Sequence, residues 1–330
     1  MKKLILLLLL IIIGLFLHGG GRHPMEGLVN PGQVAVDRDN GELFIVDGTE
    51  IRVYRLADLN LKAVFGKKGE GPGEILPPVS IGLHKDAILV NSRNKVSFYD
   101  RKLNFMREHK VTSGKRFATT GKRFAGQGFK VIGQDGYETF NFFDKDFNKG
   151  KEIISRKSPI QRSGKIPVLS SPFIFRVYRD IVYYSFNDNL ELGIFRKGKN
   201  IADRIRFNYE NKPFTASDKA AFETYFKTNP RTRKNYEALR QRLEYPTHYP
   251  AIRTFLVDEG KIYVITHRKN NDGAIETFVL NKGGELIKKS FIWLKDMNIF
   301  SPYPFSISAG KLYQLIETDD EKWELHIIEI

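Results

Sequence analysis

The sequence predicts an all-β fold, a six-bladed β-propeller with a small helical insertion between blades four and five. Three observations carry that expectation. A short motif recurs six times along the chain, each copy a turn followed by a strand of bulky apolar residues. Each copy is followed by a second strand and a polar hairpin. One interval is too long, and a helical pattern lies inside it.

The copies begin at Leu43, Ala87, Phe129, Ile181, Lys261 and Lys311, as in Leu43-Phe44-Ile45-Val46-Asp47 and Lys261-Ile262-Tyr263-Val264-Ile265. Successive starts are 44, 42, 52, 80 and 50 residues apart. Taking a helical stretch of about 30 residues out of the fourth interval restores a spacing of about 50, within the range of propeller blades. The hairpins include Asp58-Leu59-Asn60, Asp100 to Asn104, Asp144 to Phe147, Phe195 to Lys199 and Asn281 to Gly284. Asp and Asn cap their own turns and Gly tolerates positive φ, so these segments suit tight reversals between strands. Short strands in sets of four, repeated six times, select radial blades over a sandwich. The last copy has only three strands before the chain stops at Ile330. Residues Met25 to Val29 are expected to supply its fourth and to close the ring without an exposed edge.

The segment Phe65-Gly66-Lys67-Lys68-Gly69-Glu70-Gly71-Pro72-Gly73-Glu74 resembles the Gly-rich connector entering an NHL blade. Pro31 to Asp37 and Asn40 to Asp47 resemble the blade body. The chain therefore resembles exported bacterial six-bladed propellers with NHL-like repeats, in detail over residues 31 to 100 and as an architecture throughout. That resemblance implies a bias toward ligand or partner binding. It does not assign an activity, because propellers host enzymes and scaffolds alike.

The N-terminus reads as a signal peptide, residues 1–21, ahead of one propeller domain over 22–330. Met1-Lys2-Lys3 is a basic head, and the apolar run from Leu4 to Leu17 is short against the roughly 20 residues that cross a bilayer as a helix. A retained membrane anchor is the alternative. The mature chain is then periplasmic or extracellular. It has no cysteine, so burial and hydrogen bonds must hold it, and thiol chemistry is excluded.

The net charge of +15 favours anionic neighbours such as acidic polysaccharide or an anionic lipid surface. Export argues against nucleic acid. The insertion, about residues 214–243, concentrates this charge: Lys219, Lys227, Arg231, Arg233, Lys234, Arg240 and Arg242 outweigh Asp218, Glu223 and Glu237. Thr215 or Ser217 is expected to cap a first helix through Phe226. Asn229-Pro230 is expected to open a second, with Tyr236, Leu239 and Leu243 as its apolar face.

Catalytic signatures are absent: there is no G-x-S-x-G elbow, H-E-x-x-H helix or Walker loop. Asp144 to Gly150 is out of register for a calcium loop, its glycine falling one position late, and suits a hairpin turn better. His84, His109, His248, His267 and His326 lack metal-ligand spacing. The candidate binding residues are His248, Tyr249, Arg253, His267 and Arg268, on the connection into blade five and the strand that follows, where a rigid scaffold presents loops. The sequence thus points to a monomeric ligand- or partner-binding scaffold, with no catalytic residues and no cofactor. The alternative is a metal-assisted hydrolase or lyase working in the central channel, the one case that calls for a divalent metal.

Overall fold

The computed structural model describes residues 21–111, 115–120, 123–158, 164–170, 173–185, 191–196, 203–206 and 208–330. Residues 1–20 of the expected signal segment and the tip of the Phe195–Lys199 hairpin lie outside these residues, while Gly21, the last residue expected in that segment, lies in a blade strand.

Six antiparallel four-stranded sheets form the blades. Blade 1 comprises Pro31–Asp37, Glu42–Asp47, Glu50–Arg55 and Leu61–Phe65. Blade 2 comprises Ser80–Leu83, Ile88–Ser92, Lys95–Tyr99 and Phe105–Lys110. Blade 3 comprises Lys115–Thr119, Phe124–Ile132, Asp135–Phe143 and Lys149–Lys157. Blade 4 comprises Ile174–Tyr178, Ile181–Ser185, Glu191–Phe195 and Asp203–Arg206. Blade 5 comprises Thr254–Asp258, Lys261–Lys269, Ile275–Leu280 and Leu286–Ile292. Blade 6 takes Phe305–Ser308, Lys311–Glu317 and Trp323–Glu329 from the end of the chain and Gly21–Pro24 from its start.

The first strand of every blade touches the first strands of both neighbours, blade 6 meeting blade 1, so these strands surround the axis. Period-two side-chain alternation then feeds two cores from each strand. In blade 1, Leu43 and Ile45 pack against Leu315 and Trp323 of blade 6, while Phe44 and Val46 pack against Ile88 and Val90 of blade 2. The same alternation continues around the ring, giving one apolar cluster per blade interface. Side-chain amides tie blades together where carbon packing leaves backbone groups unpaired. Asn91 Nδ2 donates to Phe117 O at 3.0 Å while Phe117 N donates to Asn91 Oδ1 at 2.7 Å. Gln33 clasps Ile81 N and O in the same fashion, at 2.8 and 3.0 Å.

The ring closes through residues earlier than the sequence indicates. Gly21–Pro24 pairs antiparallel with Trp323–Glu329, Gly21 opposite Ile327 and Pro24 opposite Glu324. Met25 and Leu28 are instead buried between blades 6 and 1. An outermost strand is solvated and needs no apolar alternation, so the two hydrophobic residues marked a core plug and not the strand. Blade 3 carries a similar displacement. Its second strand begins at Phe124, and Phe129, Val131 and Ile132 are 59%, 52% and 56% exposed, on a hairpin that outreaches the blade. The expected hairpin chemistry is present: Asp100 and Asp144 each accept from the backbone N–H two and four residues on, with Leu103 and Phe147 at positive φ. Asp144 to Gly150 is thus part of an Asx-type turn.

Antiparallel order puts the second turn of each blade and the inter-blade connections at one end of the disc, here called the upper end. Gly48 N donates to Asn30 O and Arg93 N to Leu76 O across that end. The Gly-rich connector lies there, Lys67–Lys68 pairing with Glu74–Ile75. Gly66 at φ +90 leaves no room for a Cβ, which would sit 2.7 Å from Thr49 O. The first turns, the third turns and the C-terminus occupy the lower end, where Ile330 N donates to Gly310 O.

The connection from blade 4 to blade 5 carries the insertion at the upper end. Helix α1 spans Ala216–Thr228 with Thr215 as its cap, the Thr215 and Asp218 side chains each accepting from the other's backbone N–H. The second helix is shorter than expected: Asn229 closes α1, its N–H donating to Tyr225 O, and α2 covers only Tyr236–Arg240 after a 3₁₀ turn at Arg233–Asn235. Leu243–Glu244 then pairs in parallel with Ile166–Pro167 of the preceding connection. Among the described residues, no helix is long and apolar enough to cross a membrane.

Candidate functional site

The upper end over blades 4 to 6 is covered by the docked insertion. Phe222 is fully buried, with its ring 5.5 Å from that of Phe214 and 5.0 Å from that of Phe300 on the connection from blade 5 to blade 6. Tyr225 also packs on Phe300, at 5.2 Å. With Val168 and Leu243, the residues Phe214, Phe222 and Phe300 form an apolar cluster separate from those between the blades. The aromatic face anticipated from α1 therefore grips the disc, and its charged face turns outward.

Beneath the start of α1 the chain enters blade 5 and passes the expected binding residues. Tyr249 lies with its ring 5.0 Å from the His267 imidazole, and its hydroxyl donates to Asp218 Oδ1 at 2.9 Å. Lys212 Nζ sits 4.1 Å from the centre of the Tyr249 ring, and Tyr249 N donates to Lys212 O. Arg253 forms an ion pair with Asp296, which also accepts from Lys269 at 3.4 Å. Tyr249, Arg253 and His267 are thus brought together from two elements. Lys212, Asp218, Lys269 and Asp296 join them, and no sequence motif marked those four.

The other two candidates stand apart. Arg268 follows His267 on a strand, so its side chain leaves by the opposite face, where it pairs with Glu210. His248 is exposed, and among the described residues its ring bonds the Thr247 hydroxyl, at 3.1 Å from Nδ1. This is a hydroxyl–imidazole pair without a carboxylate to orient the ring, and it lacks the third member of a nucleophilic triad. A surface cavity of about 350 Å³ opens beside it, lined by Leu169, Asn211 and the run Pro246 to Pro250.

The electrostatics of the cluster are set by crowding. Burial drives the His267 pKa down to about 3, helped by the Arg253 and Lys212 cations, so the imidazole is neutral at physiological pH. Burial likewise lowers the Lys212 ammonium, partly offset by Asp218. Burial and the hydrogen bond to Asp218 raise the Tyr249 phenol well above its ordinary value, so it remains a donor. Asp218 would be raised by burial, but bonds from Thr215 and Tyr249 hold it below the ordinary carboxylate value. Both carboxylates are already engaged, leaving a neutral ring walled by cations. Among the described residues, no three His, Asp or Glu side chains gather where they could hold a metal.

A second concavity lies on the insertion itself, about 390 Å³, lined by Lys227, Arg233, Lys234, Asn235, Tyr236, Glu237 and Ala238. Of the insertion's basic residues Arg240 pairs with Glu237; Lys227, Arg231, Arg233, Lys234 and Arg242 are exposed and form no ion pair among the described residues.

No family model matches the chain, and no curated protein matches it. Solved structures do. A Bacteroides fragilis protein named for an inferred export is 14% identical, with 94% of this chain and 95% of that chain covered at a TM-score of 0.58. A luciferin-regenerating enzyme is 10% identical over 94% and 96% of the two chains, with a TM-score of 0.46. The β-propeller domain of Cps50 from Myceliophteria thermophila is 8% identical over 93% and 99%, with a TM-score of 0.44. At these identities the likeness shows the fold alone: the chain adopts a six-bladed β-propeller.

Proposed function

We propose that this chain is an exported binding propeller whose upper end, through the docked insertion, engages an anionic component of the cell envelope. The observation that carries this is the division of the insertion into two faces. Its aromatic face is spent on Phe300 and the disc, and its basic face is exposed and largely without counter-charges. A folded domain gains nothing in stability from crowding like charges on a surface element, whereas a polyanion supplies the missing partners. The Tyr249–His267 cluster continues the same sign of charge toward blade 5. Export rests on the basic head and short apolar run of the N-terminus, and the name of the Bacteroides fragilis protein accords with it.

Binding to polygalacturonate, an acidic polysaccharide, tests the proposal. Affinity should fall steeply as salt is raised, because exposed charges are screened beyond about 10 Å at 0.1 M ionic strength. Replacing Arg231, Arg233 and Lys234 together with Glu should abolish it while leaving the fold intact. Absence of binding at low salt, or binding indifferent to the triple variant, overturns the proposal.

A further inference from the structure

The axis of the disc carries a charged group that the upper face does not explain. Arg176 is the third residue of Ile174–Tyr178, the first strand of blade 4, and first strands surround the axis. Its neighbour Phe175 packs back against blade 3, which turns Arg176 the other way. The guanidinium carbon lies 5.9 Å from the centre of the Phe255 ring, on the first strand of blade 5. Arg116, on the first strand of blade 3, is near enough for its charge to act on Arg176. A group that meets blade 5 while sensing blade 3 stands in the space those strands enclose.

The residues matching Arg176 on the other first strands are mostly small. Val34, Ile81, Phe117, Phe255 and Ile307 are the buried counterparts of Phe175, each packed against the preceding blade. The residues after them are Ala35, Gly82, Ala118, Leu256 and Ser308. Four of these five are Ala, Gly or Ser, so a long side chain from blade 4 has room at this level.

Arg176 has no carboxylate partner among the described residues. Of its five N–H donors, one on Nη1 is satisfied by Phe175 O at 2.9 Å. The remaining nitrogens are not sealed from solvent. Burial is nevertheless heavy enough to lower its pKa to about 10, with Arg116 adding to the effect. Removing a cation from bulk water without pairing it is costly, and native proteins pair such groups or bind a ligand with them. Arg116 adds a second peculiarity: it sits in a bulged stretch of its strand at φ +53. Bulges re-aim side chains, and left-handed backbone away from glycine marks a position held by its surroundings.

We infer that the axial channel holds an anion-binding site in which Arg176 is the principal donor and Arg116 a second cation. The ligand class is a small oxyanion presenting two acceptor oxygens, a carboxylate or a sulfate-like group, which the planar guanidinium grips in a fork. The site is separate from the insertion and does not depend on its role.

Isothermal titration of the purified protein with succinate and, separately, with sulfate at millimolar concentration tests this. Binding of either supports the site, and which one binds assigns the oxyanion as carboxylate or tetrahedral. Arg176→Met should weaken binding by about tenfold or more. It should also raise the melting temperature measured without the anion, since an unpaired charge is replaced by an apolar chain of similar length. Arg176→Lys keeps the charge but loses the fork, and should bind between the two. Arg116→Gln provides a second route should Arg176→Met fold poorly, with a smaller loss expected. The Arg231, Arg233 and Lys234 triple variant should bind both probes as the parent does. No binding by the parent, or unchanged binding in both Arg176→Lys and Arg116→Gln, overturns the inference.

Discussion

Tyr249 and His267 face one another across the join between the insertion and blade 5, with ring centroids 5.0 Å apart. The phenol reaches outward to Asp218 in the first turn of α1, and the imidazole stays neutral among cations. A neutral histidine in that position makes the fold sensitive to acid. The unfolded chain takes up a proton near pH 6.5 and the folded one only near pH 3. Between those values the unfolded state binds more protons, so stability falls as pH falls, by up to about 1.4 kcal/mol per pH unit. The cations acting on the ring are Arg253 and Lys212. His267→Asn should flatten the stability profile between about pH 6 and pH 3, measured by urea unfolding at successive pH values. An unchanged slope would show that the imidazole is protonated in the folded protein.

Docking of the insertion depends on Phe222. Phe222→Ala opens a cavity against Phe214 and Phe300 and should cost about 3–5 kcal/mol of docking free energy. The blades do not share this cluster, so the disc should persist. Trypsin should cut faster between Lys227 and Arg242 while the remainder stays resistant. Thr215→Ala, which removes the helix cap, should act in the same direction by about 1 kcal/mol. Equal cleavage rates in parent and Phe222→Ala protein would contradict the packing.

Asn91 predicts a different kind of loss. Its amide is the partner of Phe117 N and O across the interface between blades 2 and 3. Asn91→Ala strands both backbone groups and should lower unfolding free energy by about 1–3 kcal/mol. Asn91→Leu, which restores volume but not the hydrogen bonds, should recover little. Full recovery by leucine would mean that packing alone joins these blades.

Closure predicts a sharp dependence on four residues. A chain beginning at Gly21 retains the outer strand of blade 6, and one beginning at Met25 does not. The shorter chain should lose on the order of a few kcal/mol, at about 1 kcal/mol per ladder hydrogen bond. It should also self-associate through the uncovered edge of Trp323–Glu329. Matching melting temperatures and sedimentation for the two would remove closure from the account of stability.

The architecture is legible because propeller blades are local: each hairpin is written in consecutive residues, and Asp100, Asp144 and Asn281 mark the same turn in blades 2, 3 and 5. Periodicity misleads where it parts company with burial. Phe129, Val131 and Ile132 carry the apolar alternation of a core strand but stand on an exposed hairpin end. Met25 and Leu28 carry the apolar weight of the closing segment without being its strand. Tyr249, Arg253 and His267 were visible because they sit near one another in sequence around the entry to blade 5. Lys212, Asp218 and Asp296 were not, since a distant connection and a helix cap deliver them. Arg176 gave no signal at all: a basic residue in a strand looks solvent-facing until the ring encloses it.

The two ends of the disc also differ in what leaves from them. The strand Gly21–Pro24 runs from the lower end upward, and the last residue, Ile330, is bonded at that same lower end. The insertion and the Tyr249–His267 cluster lie at the opposite end. A tether fixed at either terminus, whether to a bead or to a bilayer, therefore presents the basic surface outward like the working side of a mounted tool. Immobilising the protein by a terminal tag leaves its proposed contact surface unobstructed.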